Sequence, residues 1–362
     1  MKMRQIIFTG VERAELLERE ISDELKPHQA LVETEFTIVS PGTEGRGFMG
    51  LPGVGFDGSA QTPRGATNDP ESTDNRRPRR SDPPYPQITG YGQIGKVLEV
   101  GADVTLCKPG DRVLTRSPHA SMVKANAGRF AVPLPEDFPG EELIFARMAG
   151  ISVTAIYSSS VQPGDTVLVM GLGVIGNLAA QLFQLAGADV IGSEISPFRV
   201  KKAKACGIQV VNPNETDLQE QVMAWTGGKG VQIAVEAAGR SELLAQAVLL
   251  TRAYGETISL GSPYASAVFD VTPMLRKIHS QCIRLIGSLS ARWPPQEVDR
   301  VRHSLVGNFT NVANWIADSR LEVRPLLTHL ASPADCQDIY VGLTQKHDEY
   351  LAAVFDWGRL DS

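Results

Sequence analysis

Thr166-Val167-Leu168-Val169-Met170-Gly171-Leu172-Gly173-Val174-Ile175-Gly176 decides the fold of this 362-residue chain. The apolar, partly β-branched run at its start reads as a strand covered on both faces, as in a parallel sheet. Its glycines impose a turn, and Asn177 to Ala186 then place apolar residues at helical spacing. Reading outward, strands are expected at Asp189–Glu194, Val231–Val235, Glu256–Leu260 and Cys282–Ile286, with a helix from near Pro197 to Cys206. Strand–helix alternation of this kind predicts an α/β doubly wound parallel sheet over residues 152–295.

Gly171, Gly173 and Gly176 form a GxGxxG pattern between that strand and the following helix. The first permits the tight turn, the second lets the backbone approach a pyrophosphate, and the third lets helix and strand pack closely. Free N–H groups at the helix start, around Val174 and Ile175, and the helix dipole favour phosphate there. GxGxxG alone is a weak signal. Here Glu194 follows at the end of the next strand, where a carboxylate accepts hydrogen bonds from the adenosine ribose and repels a 2′-phosphate. That favours NAD over NADP. Arg199, five residues on, offers the opposite preference but has no basic neighbour at 195–198.

Outside this region the texture changes. Residues 1–151 hold short runs such as Leu31–Val39, Gly95–Val100 and Asp111–Leu114 between Gly and Pro, the pattern of a small barrel or sandwich. From Gly53 to Gln87 that pattern gives way to a stretch rich in Pro, Ser, Asn and Asp, with Arg76, Arg77, Arg79 and Arg80 clustered. Nearby Asp57, Asp69, Glu71, Asp74 and Asp82 roughly cancel the charge, so a solvated loop is the simpler reading, against a lid or an assembly contact. Residues 296–362 are expected to pack back on the first domain.

Apolar residues make up 42% of the chain and charged ones 21%, as in ordinary soluble proteins. No apolar run reaches the ~18 residues of a membrane span, and a net charge of −6 speaks against nucleic-acid or anionic-membrane partners. Cys107, Cys206, Cys282 and Cys336 are too far apart for a metal knuckle or a dense disulfide framework. Reduced thiols in a cytoplasmic protein are expected.

Taken together with Val39-Ser40-Pro41-Gly42-Thr43-Glu44, Gly90-Tyr91-Gly92-Gln93-Ile94-Gly95, Lys108-Pro109-Gly110-Asp111-Arg112-Val113, Val235-Glu236-Ala237-Ala238-Gly239 and Leu260-Gly261-Ser262, the chain resembles the medium-chain dehydrogenase/reductase superfamily. The resemblance implies a chaperonin-10-like β-barrel catalytic domain (1–151 and 296–362), a Rossmann nucleotide domain, a small-molecule substrate in the cleft between them, and a homodimer or homotetramer. It also implies that Ala237, Ala238, Leu260, Gly261 and Ser262 flank the nicotinamide half of the cofactor, and that Thr154 is a further cofactor-binding residue.

The chain departs from the zinc-dependent members of that superfamily. Pro41, Tyr91 and Gly150 stand where the metal ligands are held, and neither proline nor glycine offers a donor. No zinc is expected. Proton removal then falls to a side chain, and charge on the substrate oxygen to hydrogen bonds. The motif positions nominate Tyr91 as acid/base, Thr43 as partner of the substrate hydroxyl, Glu44 beside it, and Arg46 as an oxyanion or acidic-substrate contact. Each has a structural alternative: Tyr91 as a packing aromatic, Thr43 and Glu44 as loop braces, Arg46 as an ion-pair partner. His119 and His279 are further candidate bases.

The reading that joins these expectations is a zinc-independent NAD-dependent alcohol dehydrogenase, similar to the branch containing bacteriochlorophyllide a dehydrogenase and polyol or sugar dehydrogenases. A zinc-free alkene reductase and a non-catalytic nucleotide-binding protein are the alternatives.

Overall fold

In the computed structural model, residues 1–51, 85–265 and 267–360 are described. Six strands form one wholly parallel sheet, in the spatial order Gln209–Val211, Asp189–Ser193, Thr166–Met170, Val231–Glu236, Thr251–Ser259, Arg284–Gly287. The chain winds outward from Thr166–Met170 in one direction, then returns to build the other half. The connections therefore diverge between Thr166–Met170 and Val231–Glu236, where a crevice opens at the carboxyl ends of the strands. Cys282, expected in the last strand, instead ends helix Thr272–Gln281 with φ of 52°, and the strand begins at Arg284. The left-handed turn at Cys282 lets the chain leave the helix and re-enter the sheet.

A second, seven-stranded sheet is built from both ends of the chain. Ala352–Asp356 pairs antiparallel with Ala30–Ile38 and parallel with Leu327–Ala331, so the C-terminal segment completes the N-terminal barrel. A small sheet of Arg13–Glu20, Lys2–Gly10 and Gln87–Ile88 flanks it. The Pro- and Arg-rich stretch, through residue 84, lies outside the described residues.

Pro41 to Phe48, read from sequence as a motif-bearing loop, is a helix despite its three glycines. Proline suits its first turn. A Cβ on Gly45 would meet the Thr344 methyl at 3.2 Å, and one on Gly47 the Gln87 side chain at 3.1 Å. Close packing has overridden poor helix propensity here.

Helix Ala146–Ser158 joins the two halves. It is buried along most of its length and packs against helices Val174–Leu185 and Leu305–Ala317. One hydrophobic core runs through it, from Ile38 and Ile94 in the barrel to Val167, Leu178 and Phe183 beside the parallel sheet. Phe309, also in that core, is fully buried, which contributes on the order of 2 kcal/mol. Among the described residues no helix is long and apolar enough to cross a membrane.

Candidate active site

At the nucleotide end, Gly171 sits at φ +88°, open to glycine at little cost. A Cβ on Gly176 would collide with the Gly171 carbonyl, whereas one on Gly173 would meet nothing within 4 Å. The turn is closed on its inner side and open where a diphosphate would lie. Gly173 caps helix Val174–Leu185, whose first N–H groups have no intrahelical partner. The Ile175 carbonyl accepts from Ser152 Oγ at 2.8 Å, anchoring this helix to Ala146–Ser158.

Glu194 is buried beside that turn. One carboxylate oxygen accepts from the Leu172 N–H at 2.9 Å, the other from the N–H groups of Ile195 and Ser196 at 2.9 and 3.0 Å. Lone pairs remain for ribose hydroxyls. Arg199 is half-buried, with Nε lacking a partner among the described residues. Ser196 caps its helix and also donates to Asp348 of the barrel half at 3.1 Å.

Ala237, Ala238, Leu260, Gly261 and Ser262 gather at the carboxyl ends of the neighbouring strands. Glu236 holds them there. Its carbonyl accepts from the N–H groups of Leu260 and Gly261, and its carboxylate from that of Ala238 at 2.8 Å. Burial raises the pKa of that carboxyl, against the N–H bonds that oppose the rise. Thr154 is fully buried, donating to the Ile151 carbonyl and sharing a 2.6 Å hydrogen bond with Ser288. It ties the central helix to the sheet.

At the other end of the cleft, the Tyr91 hydroxyl donates to Ser40 Oγ at 2.5 Å. The Arg147 guanidinium lies 4.5 Å from the Tyr91 ring centre, and its Nε donates to the Tyr91 carbonyl at 2.8 Å. A desolvated pair of this kind is worth about 2 kcal/mol. Arg147 is 3% exposed and Nη1 has no partner among the described residues. Burial brings its pKa down to about 10, with Tyr91 raising it and Arg116 lowering it further. The missing side chains make this possible: a Cβ on Gly92 would lie 2.6 Å from Arg147 Cγ, and one on Gly150 would collide with the Phe309 ring.

Glu44 faces the protein interior. It accepts from Ser40 N and Thr89 Oγ1 at 2.8 Å, Tyr340 Oη at 2.6 Å and bonds His119 Nε2 at 2.9 Å. Burial alone would raise its pKa, but the His119 charge and these hydrogen bonds hold it below the ordinary range. The same burial and the Glu44 charge push the Tyr340 hydroxyl well above its own. This is a brace, so the structure does not present Glu44 or His119 to the cleft as free acid/base groups. Thr43, on the same helix, is half-buried and makes no hydrogen bond to described residues. Arg46 reaches toward the nucleotide half, 5.4 Å from the Tyr264 ring centre. His279 is exposed on helix Thr272–Gln281, on a different element from both site loops.

Residues 174–303 match the zinc-binding dehydrogenase family. D-guloside 3-dehydrogenase of Shigella flexneri is 32% identical over 281 residues, 75% of this chain and 79% of that protein. The chain belongs to the medium-chain dehydrogenase/reductase superfamily. (R,R)-butanediol dehydrogenase of Bacillus subtilis is 30% identical over 200 residues, 48% of this chain and 58% of that protein. The solved structure of 2R,3R-butanediol dehydrogenase from Bacillus subtilis superimposes with a TM-score of 0.76 at 19% identity, over 98% of this chain and 99% of that one. The protein is an alcohol-dehydrogenase-like oxidoreductase.

As a medium-chain dehydrogenase/reductase, the chain has the glycine turn and acidic partner that fit a dinucleotide. Among the described residues no group of three or more His, Cys, Asp or Glu is placed to hold a metal ion. Of the three residues expected at ligand positions, Pro41 is the first residue of its helix, Tyr91 is bonded to Ser40, and Gly150 is covered by Phe309. Arg147, Phe309 and Glu236 went unassigned in the sequence. The available signal was volume: Gly92 and Gly150, at or beside the expected ligand positions, leave space that other residues fill.

Proposed function

We propose that this protein is a zinc-independent, NAD(H)-dependent dehydrogenase that moves a hydride between nicotinamide and a secondary alcohol or ketone of polyol, sugar or cyclitol type. The observation that carries the reading is the Ser40–Tyr91–Arg147 unit standing where the superfamily's metal ligands fall, opposite an intact dinucleotide turn. Residues 152–295 bind the cofactor; residues 1–151 and 296–362 supply the proton chemistry. The related enzymes named for guloside, butanediol and sorbitol support an alcohol substrate.

Bound NAD supplies the hydride acceptor. The chain does the rest. N–H groups from Gly173 to Gly176 hold the diphosphate, and Glu194 holds the adenosine ribose. Tyr91 takes the hydroxyl proton of the substrate as its own passes to Ser40 and the Ser40 hydroxyl proton leaves to water, so each group ends neutral. The Arg147 cation on the Tyr91 ring favours the partial negative charge on the phenol oxygen during the transfer. Thr43 donates to the substrate oxygen. Glu44 acts at one remove, fixing the helix that carries Thr43. The cytoplasm is the proposed compartment, and a dimer or tetramer the proposed assembly, with the edge strand Arg284–Gly287 and its exposed Leu285 available for pairing.

Cofactor absorbance with NAD and NADP, across secondary alcohols and with metal content measured on the same sample, tests this. Turnover with NAD in metal-free protein is expected. Activity that tracks bound zinc, or enone reduction with NADPH alone, overturns it.

A further inference from the structure

We infer that the cleft beside Tyr91 contains an anion subsite formed by Arg116 and Arg129, and that the substrate is a hydroxylated compound bearing a carboxylate or phosphate. This deepens the proposed dehydrogenase reading and rests on it. A cavity of about 160 Å³ is lined by Arg116, Asn126, Arg129, Phe130, Pro295 and Leu305. It is bounded by the turn at residues 126–130 on one side and the entry to helix Leu305–Ala317 on the other. Gln296 Nε2 donates to the Gly128 carbonyl at 2.7 Å and the Leu305 N–H to the Pro294 carbonyl at 2.8 Å, so these walls are tied together.

The lining carries two guanidinium groups and no carboxylate, in a protein of net charge −6. Among the described residues neither Arg116 nor Arg129 has an ion-pair partner, although most of the molecule's other bridges pair arginine with a nearby acid. Arg116 is set over the Phe130 ring at 5.9 Å. Its pKa is lowered first by burial, then by the charge of Arg129. Like charges converging without a counter-charge favour an arriving anion, and arginine forks suit the paired oxygens of carboxylate or phosphate.

The cavity adjoins the reaction centre. Phe130 meets Phe309 edge to face at 5.1 Å, and Phe309 lies beneath Arg147 and against Gly150. Tyr91 is within electrostatic reach of both Arg116 and Arg147. Arg147, with its buried Nη1 unpartnered, adds a third positive charge behind the wall. An anionic group in the cavity would hold the rest of a short polyhydroxylated chain toward Tyr91.

Binding of D-sorbitol, D-gluconate and D-sorbitol 6-phosphate to the full chain saturated with NADH is measured by calorimetry, in wild type and in R116A/R129A. NADH affinity, by fluorescence, is the control for folding. At least one anion is expected to bind tenfold or more tighter than sorbitol, weaken with salt, and lose that advantage in the double variant while NADH affinity holds. Preference for gluconate identifies a carboxylate, preference for the phosphate ester a phosphoryl group. Equal affinity for sorbitol and both anions, or an anion preference that survives R116A/R129A, overturns the inference. R116K/R129K, which keeps charge but loses the forks, should retain part of the preference if the double variant proves unstable. Turnover separates the two levels: neutral polyols oxidised without anion preference sink the subsite alone, and anion binding without any hydride transfer sinks the dehydrogenase reading alone.

Discussion

Gly176 and Gly150 both exclude a Cβ, and for opposite ends. At Gly176 the absent side chain lets helix Val174–Leu185 press against the Gly171 carbonyl, leaving the outer face of the turn open for a ligand. At Gly150, and at neighbouring Gly92, the absent side chain lets Phe309 and Arg147 move in and close a space that a ligand-bearing side chain would hold. One end of the cleft uses glycine to keep room, the other to fill it. On the proposed function, the family's scaffold is thus retained around a different reaction centre. The sharpest way to break this comparison is to add one methyl at each place. Gly176→Ala should abolish measurable NADH binding and cost about 3 kcal/mol or more of stability, because backbone must move. Gly150→Ala should cost about 1–3 kcal/mol as Phe309 shifts, with NADH affinity within twofold of wild type. Equal loss of NADH binding in both would erase the distinction.

Tyr91→Phe tests the filled end more directly. It removes the hydroxyl bonded to Ser40 while keeping the ring under Arg147. Turnover should fall on the order of 10²-fold or more, the usual range for losing an acid/base group. NADH affinity should stay level in fluorescence titration. An unchanged rate would reduce Tyr91 to a packing aromatic.

The two ends also differ in how much of each is legible in the amino-acid sequence. The dinucleotide end depends on a turn, a helix start and an acid one strand later, all within Gly171 to Glu194, so local spacing carries it. Even so, Glu236, which holds the Ala237–Gly239 and Leu260–Gly261 loops together, drew no role, because its carbonyl acts across strands to Leu260 and Gly261 while its carboxylate folds back on the Ala238 N–H. The reaction end joins Ser40, Tyr91, Arg147 and Phe309 from separate elements. Arg147 in a sequence reads as one more surface cation; only the packing of its helix buries it. Glu44 was legible as a position and not as a function, since its partners Thr89, His119 and Tyr340 lie 45, 75 and 296 residues away.

Glu44 accordingly predicts a stability effect with a pH signature. Its folded-state pKa lies below the ordinary value of 4.5, so the stabilisation it brings is present above 4.5 and is lost as pH falls through the lower folded value. Glu44→Gln should cost about 2 kcal/mol at pH 7, a figure appropriate to a charged hydrogen-bond hub. The gap between wild type and variant in urea denaturation should narrow as pH falls from about 4.5 through the lower folded value, and level off beneath it. A gap that stays constant down to acid would show that the charge contributes nothing.

The smallest expected effect sharpens the open end. Glu194 already accepts three backbone N–H groups, so Glu194→Ala removes both a ribose acceptor and part of the scaffold behind the turn. A scaffold effect alone would weaken NAD and NADP equally. A ribose contact predicts an unequal change: NAD affinity down about tenfold, equivalent to one or two lost hydrogen bonds, with NADP affinity steady or improved because a repelling carboxylate has gone. Glu194→Gln separates the two causes further. It keeps an acceptor for the ribose and removes the charge, so NAD should bind within a few-fold of wild type while discrimination against NADP falls. Parallel loss for both cofactors in both variants would leave Glu194 as a brace, and the cofactor preference would then have to come from Arg199 and its unpartnered Nε.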